Sequence, residues 1–332
     1  MTLTEIYGTL GPACQSETTL TAMFRAGMTG MRLNLSHTSL ADSRDLIENY
    51  RKAADACGVS PELLIDLQGP ELRLSEMAPV AADPGQNLEL PLAARILDAL
   101  EPGDRVLIDD GKIEASVVSV GDRSAALHIL RGGVIKSRKS LKIEGKDVAG
   151  PALTAHDRAN LADARTYGVT AVMEPFVTSP ETLRELRAAL ADADLADVRI
   201  FAKIENKQGV RALPALLPEA DMIVIARGDL GNDLPLWALP AVQKDIAQAC
   251  RLAQVPFMVV TQMLASMADA PVPTRAEVSD IFNAVADGAA AVMVTNETAV
   301  GHYPAEVIRY LAKTAAEAEK WTAAQASSAA DR

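Results

Sequence analysis

Six short segments of this sequence carry side chains that could act on an anionic substrate. Arg32-Leu33-Asn34-Leu35-Ser36-His37 puts a guanidinium, an amide, a hydroxyl and an imidazole within six residues. Asp66 closes an apolar run. Lys203-Ile204-Glu205-Asn206, Arg227-Gly228-Asp229, Thr261-Gln262 and Thr295-Asn296-Glu297-Thr298 follow in chain order. Glu205 and Asp229 could chelate one divalent cation, with phosphate or enolate oxygens filling the other octahedral positions that Mg²⁺ demands. Lys203 and Arg32 would balance the charge of the substrate. Cations and metal spread around a transferred group are what phosphoryl transfer requires. The residues alone therefore point to a Mg²⁺-dependent site for a small phosphorylated or carboxylated substrate. Polar side chains also begin ordinary loops, and Thr295 and Gln262 fit that reading. A Lys and a Glu alternating on a strand buried on both faces do not, because unpaired buried charge is expensive.

The elements that would hold these residues are short β-rich runs alternating with helix-period segments. Strands are predicted at Glu5–Thr9, Met31–Leu35, Leu63–Leu67, Thr170–Met173, Arg199–Ile204, Met222–Ile225, Pro256–Val260 and Ala291–Val294. Helices are predicted at Glu17–Ala26, Ser39–Ala56, Pro180–Ala191, Pro240–Ala253 and Arg275–Ala286, with Ser16 and Ser39 as caps. Eight strands alternating with helices predict an α/β fold, a (β/α)₈ TIM barrel. The chemical segments then fall at strand C-terminal ends, where barrel sites are built. Alternation puts Arg32, Asn34 and Ser36 on one side of their strand, and Lys203 and Glu205 on one side of theirs.

The rhythm breaks once, after the third strand. From Leu74 to Gly150, turn signals such as Asp83-Pro84-Gly85 and Glu101-Pro102-Gly103-Asp104 punctuate short runs, predicting a small β-barrel-like insert. Removing these roughly 77 residues leaves roughly 255, close to the ~250 of a barrel. The expected division is 1–73 with 151–326 as barrel and 74–150 as insert. The Ala-, Ser- and Gln-containing stretch after Trp321 reads as a frayed tail.

Composition narrows the partners. The chain of 332 residues has a formal net charge of −12, which disfavours nucleic acid and anionic lipid. Cys14, Cys57 and Cys250 form no CxxC pair, arguing against a disulfide framework and for a reducing compartment. No run approaches 18 apolar residues and the first residues lack a signal pattern, so a cytoplasmic protein without membrane contact is expected. There is no G-x-x-x-x-G-K-[ST] segment. His37 could reach a ligand, whereas His128, His156 and His302 read as surface or structural. Lys136-Ser137-Arg138-Lys139 could meet a nucleotide phosphate or be a solvated charge run.

At these same residues the sequence resembles the pyruvate kinases. Gly8-Thr9-Leu10-Gly11-Pro12 is similar to the family's opening motif, and Met31-Arg32-Leu33-Asn34-Leu35-Ser36-His37 to its R-L-N-F-S-H segment. Ile65-Asp66-Leu67-Gln68-Gly69-Pro70-Glu71-Leu72-Arg73 resembles L-D-T-K-G-P-E-I-R. The Lys203, Arg227, Thr261 and Pro273-Thr274-Arg275-Ala276-Glu277 blocks follow in family order, and the resemblance spans about residues 5–318. It implies a barrel with an inserted β domain that closes over the site, and phosphate transfer from phosphoenolpyruvate to ADP, giving pyruvate and ATP. By matching motif, Lys203, Thr261 and Arg32 would be catalytic. Lys203 would stabilise the transferred phosphoryl group, Arg32 would contact phosphate, and Thr261 would take part in enolpyruvate protonation. Gly228, Asp229, Arg227, Thr295 and Arg73 would bind substrate, and Asn34, His37 and Arg73 nucleotide. Glu205 and Asp229 would hold Mg²⁺ (or Mn²⁺), and Asn34, Ser36, Asp66 and the Leu67 carbonyl K⁺. Glu71 is the residue type associated with K⁺-dependent members.

The sequence departs from the family at Leu67-Gln68, where Thr-Lys is usual, and at Thr38, where Gly is usual. It departs again at Asn296, where Gly is usual, and at Glu174-Pro175, where a small residue and Ser are usual. These changes keep a second reading open, an enzyme of the same scaffold acting on a different enol or keto acid, as a kinase or a metal-assisted enolate lyase. A third, a non-catalytic binding protein, is opposed by the intact Lys203, Glu205 and Asp229. The resemblance stops before the family's C-terminal regulatory domain. A short form is therefore expected, without sugar-phosphate activation and with a homodimer through the barrel as its remaining assembly.

Overall fold

The computed structural model describes residues 4–36, 38–109, 111–146, 148 and 150–330, with side chains to residue 327. His37, named above as a nucleotide contact, lies outside the described residues. The chain forms two compact units, residues 1–69 with 152–332, and residues 70–151.

The first unit is a closed barrel of eight parallel strands. They are β1 (Glu5–Thr9), β2 (Gly30–Asn34), β3 (Glu62–Asp66), β4 (Ala171–Glu174), β5 (Arg199–Ile204), β6 (Met222–Ala226), β7 (Phe257–Val260) and β8 (Ala291–Met293). Each strand pairs with its sequence neighbours, and β8 closes on β1 through Glu5–Ala291, Ile6–Val292 and Tyr7–Met293. Strict two-residue alternation separates two apolar layers. Tyr7, Leu64, Met173, Phe201, Val224, Met258 and Met293 fill the barrel interior. Ile65, Val172, Ile200, Ile223, Val259 and Val292 face the helices. Each fully buried side chain of this size contributes about 1.5–3 kcal/mol, so two such layers can carry a few buried charges at the barrel's ends.

At the N-terminal end the inward positions hold a structural cluster. Arg199 stacks over Phe201 at 4.9 Å, and its Nε donates to Glu62 at 2.9 Å. Tyr7 donates to Glu5 at 2.9 Å. Inward charge on these strands is thus a feature of both ends, and only the C-terminal one opens into loops long enough to build a site.

Helix boundaries follow local chemistry. Ser16 accepts from the Thr19 N–H and caps Glu17–Arg25. Ser39, expected to cap the next helix, instead accepts from the Asp42 N–H within a preceding turn, and the helix itself runs Arg44–Cys57. The stretch after Trp321 is not frayed. It continues one helix from Pro304 to Ala330, since Ala and Gln propagate a helix once started and no Gly or Pro interrupts them. Trp321 packs edge-on against Phe282 at 5.7 Å and anchors that extension.

The second unit has its own core, including Leu90, Val106, Ile108, Leu127, Ile129 and Ile143. Its main sheet is antiparallel, with five strands in spatial order Leu141–Ile143, Arg105–Ile108, Ile113–Val120, Ser124–Arg131 and Asn87–Pro91. Val80–Ala82 pairs with Gly133–Ile135 as a separate ribbon. Among the described residues, no helix is long and apolar enough to cross a membrane.

Candidate active site

Above the apolar filling of the barrel, the next inward positions of β2, β3 and β5 are Arg32, Asp66 and Lys203. The Arg32 guanidinium reaches Asp66 Oδ2 with Nε at 2.8 Å and Nη2 at 2.6 Å. Lys203 Nζ lies 3.3 and 3.2 Å from the two Asp66 oxygens and 2.9 Å from Glu205 Oε1. The Phe176 N–H donates to Glu205 Oε2 at 2.7 Å, fixing that carboxylate against the loop after β4. Asp66 and Glu205 are each 2% exposed. Two cations and two carboxylates balance, which is what allows four ionised groups to sit together out of water.

Burial alone would push the Asp66 carboxyl up, but Lys203 and Arg32 outweigh it and hold it below the usual range. For Lys203, burial disfavours the ammonium, Asp66 and Glu205 more than offset that against the opposing Arg32, and its pKa ends above the ordinary lysine value. Asp66 and Glu205 therefore favour the ammonium form of Lys203.

Around this quartet, the loops are held by hydrogen bonds to side chains. Asn34 Oδ1 accepts from the Ser36 N–H at 3.1 Å, and His156 Nε2 lies 2.9 and 3.1 Å from the Leu35 and Thr38 carbonyls. Asp157 is fully buried. It accepts from the Gln68 and Gly69 N–H groups at 2.7 and 3.1 Å, and from the Thr154 N–H and hydroxyl at 2.9 and 2.7 Å. One carboxylate thus closes the capping box of the Ala155–Asp163 helix and ties the exit of β3, next to Asp66 and Leu67, to that helix. Glu297, 2% exposed, accepts from the Thr295 N–H at 2.7 Å and the Leu264 N–H at 3.3 Å. Neither Asp157 nor Glu297 was singled out for this holding role. The T-x-x-D spacing of Thr154 and Asp157 was a readable sign of the former.

The turn after β7 is backbone-strained. Thr261 and Gln262 have φ of 76° and 55°, which a β-branched residue rarely adopts. Thr261 packs over Gly228, where an added Cβ would meet Thr261 Cγ2 at 3.0 Å. Arg227, expected among the substrate contacts, directs its donors into the protein instead. Nη1 lies 2.8 and 2.7 Å from the two Asp280 oxygens, and Nη2 donates to the Thr261 carbonyl at 2.8 Å. Asp229 stands in the first turn of the short helix Arg227–Asp233, partly buried. The Thr295 hydroxyl lies 3.2 Å from Glu297 Oε2, and Asn296 is exposed. Arg73 belongs to the second unit, where it pairs with Glu71 and donates to the Arg138 carbonyl at 2.9 Å.

One departure from the expected motif, Pro175, meets a residue that keeps to it, Gly69. Gly69 has φ of 59°, and Pro175 Cγ occupies the space a Cβ there would need, so Pro175 and Gly69 form a matched pair. Glu174 follows the alternation of Val172 onto the helix-facing side of β4, so it lies behind the barrel wall. It is 1% exposed, and its Oε2 has no hydrogen-bond partner among the described residues. Burial first, then the charges of Asp157, Glu185 and Asp66, raise its carboxyl well above the normal range.

Among the described residues, no three His, Cys, Asp or Glu side chains are grouped as a metal cage. Glu205 and Asp229 are all-oxygen donors of the kind Mg²⁺ takes in ones or twos beside substrate phosphates. Asn34, Ser36, Asp66 and the Leu67 carbonyl are likewise an oxygen-only set, and both sets fit the cations expected of them.

Comparison with known proteins agrees with the fold. The family model "Pyruvate kinase, barrel domain" matches residues 1–308. The pyruvate kinase of Aeropyrum pernix is 36% identical over 95% of this chain and 71% of its own length. That of Mycobacterium tuberculosis is 37% identical over 93% of this chain and 68% of its own. For the Geobacillus stearothermophilus enzyme, 34% identical, the matched region covers 57% of its length. The crystal structure of a pyruvate kinase from Cryptosporidium parvum superposes with a TM-score of 0.85 at 30% identity, covering 96% of this chain and 69% of that one.

Proposed function

Since the chain belongs to the pyruvate kinase family, we propose that its barrel mouth catalyses phosphoryl transfer from phosphoenolpyruvate to ADP, giving pyruvate and ATP. The observation that carries this reading is the buried quartet of Arg32, Asp66, Lys203 and Glu205. It holds a lysine, favoured in its ammonium form, at the C-terminal end of the barrel. In the reaction a terminal oxygen of ADP attacks phosphorus, the bond from phosphorus to the enol oxygen breaks, and the released enolpyruvate takes a proton at carbon.

Lys203 and Arg32 supply positive charge where the transferred group carries negative charge, in a site whose low dielectric strengthens that interaction. Glu205 and Asp229 hold Mg²⁺ or Mn²⁺, which when bound neutralises phosphate charge and orients the phosphate oxygens. Asn34, Ser36, Asp66 and the Leu67 carbonyl hold K⁺. Gly228 leaves room for the Thr261 side chain at the substrate's edge, and Thr261 stands near the enol carbon that is protonated. Thr295 lines the same mouth, and Asn34 serves the nucleotide.

The alternative of another enol or keto acid drew on Glu174-Pro175 and Gln68. Glu174 sits behind the wall and Pro175 packs on Gly69, so these changes alter the support of the mouth, which favours the first reading. A coupled assay with phosphoenolpyruvate, ADP, Mg²⁺ and K⁺ tests it. Turnover that falls when Na⁺ replaces K⁺ is expected, and indifference to that swap contradicts the K⁺ assignment.

A further inference from the structure

Arg227 begins the turn that carries Gly228 and Asp229, yet its guanidinium faces the neighbouring β7 loop and the Arg275–Ala286 helix. Nη1 forms a two-pronged pair with Asp280 at 2.8 and 2.7 Å. Nη2 donates to the Thr261 carbonyl at 2.8 Å, and Nε lies 3.3 Å from the carbonyls of both Val260 and Thr261. The Arg227 side chain is 12% exposed and that of Asp280 34%. Those carbonyls flank Thr261, the first of the only two consecutive non-glycine residues with positive φ among the described residues, Thr261 and Gln262. A left-handed β-branched residue persists only where its surroundings hold it there. The fork of Arg227 meets that need from one side, and Glu297, bonded to the Leu264 N–H, from the other.

We infer that Arg227, anchored by Asp280, is a positioning residue for the Thr261 hydroxyl: the pair clamps the turn after β7 and keeps the Thr261 side chain over Gly228. This rests on the reading that Thr261 stands beside the enol carbon. Substrate contact by Arg227 is not part of its role, because the donors that could make it are already committed within the protein. A lysine could supply the charge but could not bridge Asp280 and two carbonyls at once.

Two variants test the clamp, Asp280→Asn and, should that one fail to fold, Arg227→Lys. With a misplaced hydroxyl, kcat is expected to fall by up to about 100-fold, the scale of a roughly 1 Å displacement. The solvent deuterium effect on kcat should rise as proton transfer becomes limiting, while KM for phosphoenolpyruvate moves far less. A purely structural role would lower Tm and leave the isotope effect unchanged. A crystal structure of the variant should show Thr261 relaxed to negative φ. Retention of the left-handed turn, with kcat and the isotope effect as in the parent, overturns the inference. Thr261→Ala separates the two ideas. If it leaves kcat and the isotope effect unaltered, the reading of Thr261 falls, and the clamp is then decided by the turn conformation in the Asp280→Asn or Arg227→Lys crystal structure.

Discussion

At the scale of single residues, position relative to the barrel wall decides what a charge does. Lys203 and Glu174 lie on adjacent strands, and both are nearly buried. Lys203 faces inward between two carboxylates, whereas Glu174 faces outward among other acids. Replacing Lys203 by Met should reduce phosphoryl transfer by about 10²–10³-fold, the scale of losing one charge-stabilising group. It should affect far less the Mg²⁺-dependent exchange of pyruvate methyl protons followed by NMR in D₂O. Equal loss of both would contradict the assigned role. Glu174 gives a prediction in pH. Its unfolded carboxyl ionises near 4.5 while burial raises the folded value well above that, so the native state keeps a proton that the unfolded chain releases. Stability from this group is complete below about pH 4.5 and is lost as pH rises toward the raised value. Glu174→Gln should therefore show a flatter decline of Tm above pH 5 than the parent and a higher Tm at alkaline pH. Parallel curves from pH 4.5 to 9 would remove the argument.

At the scale of elements, loops are fixed by single buried acceptors rather than by bulk. Asp157→Asn leaves one oxygen for the donors of Gln68, Gly69 and Thr154. A loss of about 1–3 kcal/mol is expected, seen as a Tm lower by several degrees in thermal melts, and an unchanged Tm would show that the β3 exit is held otherwise. The eight strands were legible as short β-rich runs between helix-period segments because both of their faces are buried, one against the barrel filling and one against the helices, and their observed ends lie within a residue of the expected ones. Alternation grouped Arg32 with Asn34 and Ser36, and Lys203 with Glu205, but did not say which side of each strand faces inward or that Asp66 joins them. Less legible was everything that depends on what a side chain meets across strands. Parity alone could not tell the Arg199–Glu62 cluster at one end from the Lys203 quartet at the other. Nor could it show that Arg227 turns toward Asp280, or that Pro175 needs a glycine at position 69.

At the scale of the whole molecule, the chain divides where the helical rhythm fails, into a barrel unit and an antiparallel unit with separate cores. The barrel brings six strand ends, drawn from segments as far apart as Arg32 and Thr295, to one mouth. The chain carries a net charge of −12, and Arg32 and Lys203 are balanced at the mouth by Asp66 and Glu205, so attraction of an anionic substrate would rest on the divalent cation that Glu205 and Asp229 are proposed to hold. The coupled assay of phosphoenolpyruvate-dependent ATP formation, run with ADP, Mg²⁺ and K⁺ at saturating substrate, tests the central claim most directly. Sustained turnover that disappears on chelating the divalent cation is the predicted result. No ATP formed by folded protein under these conditions would contradict the account.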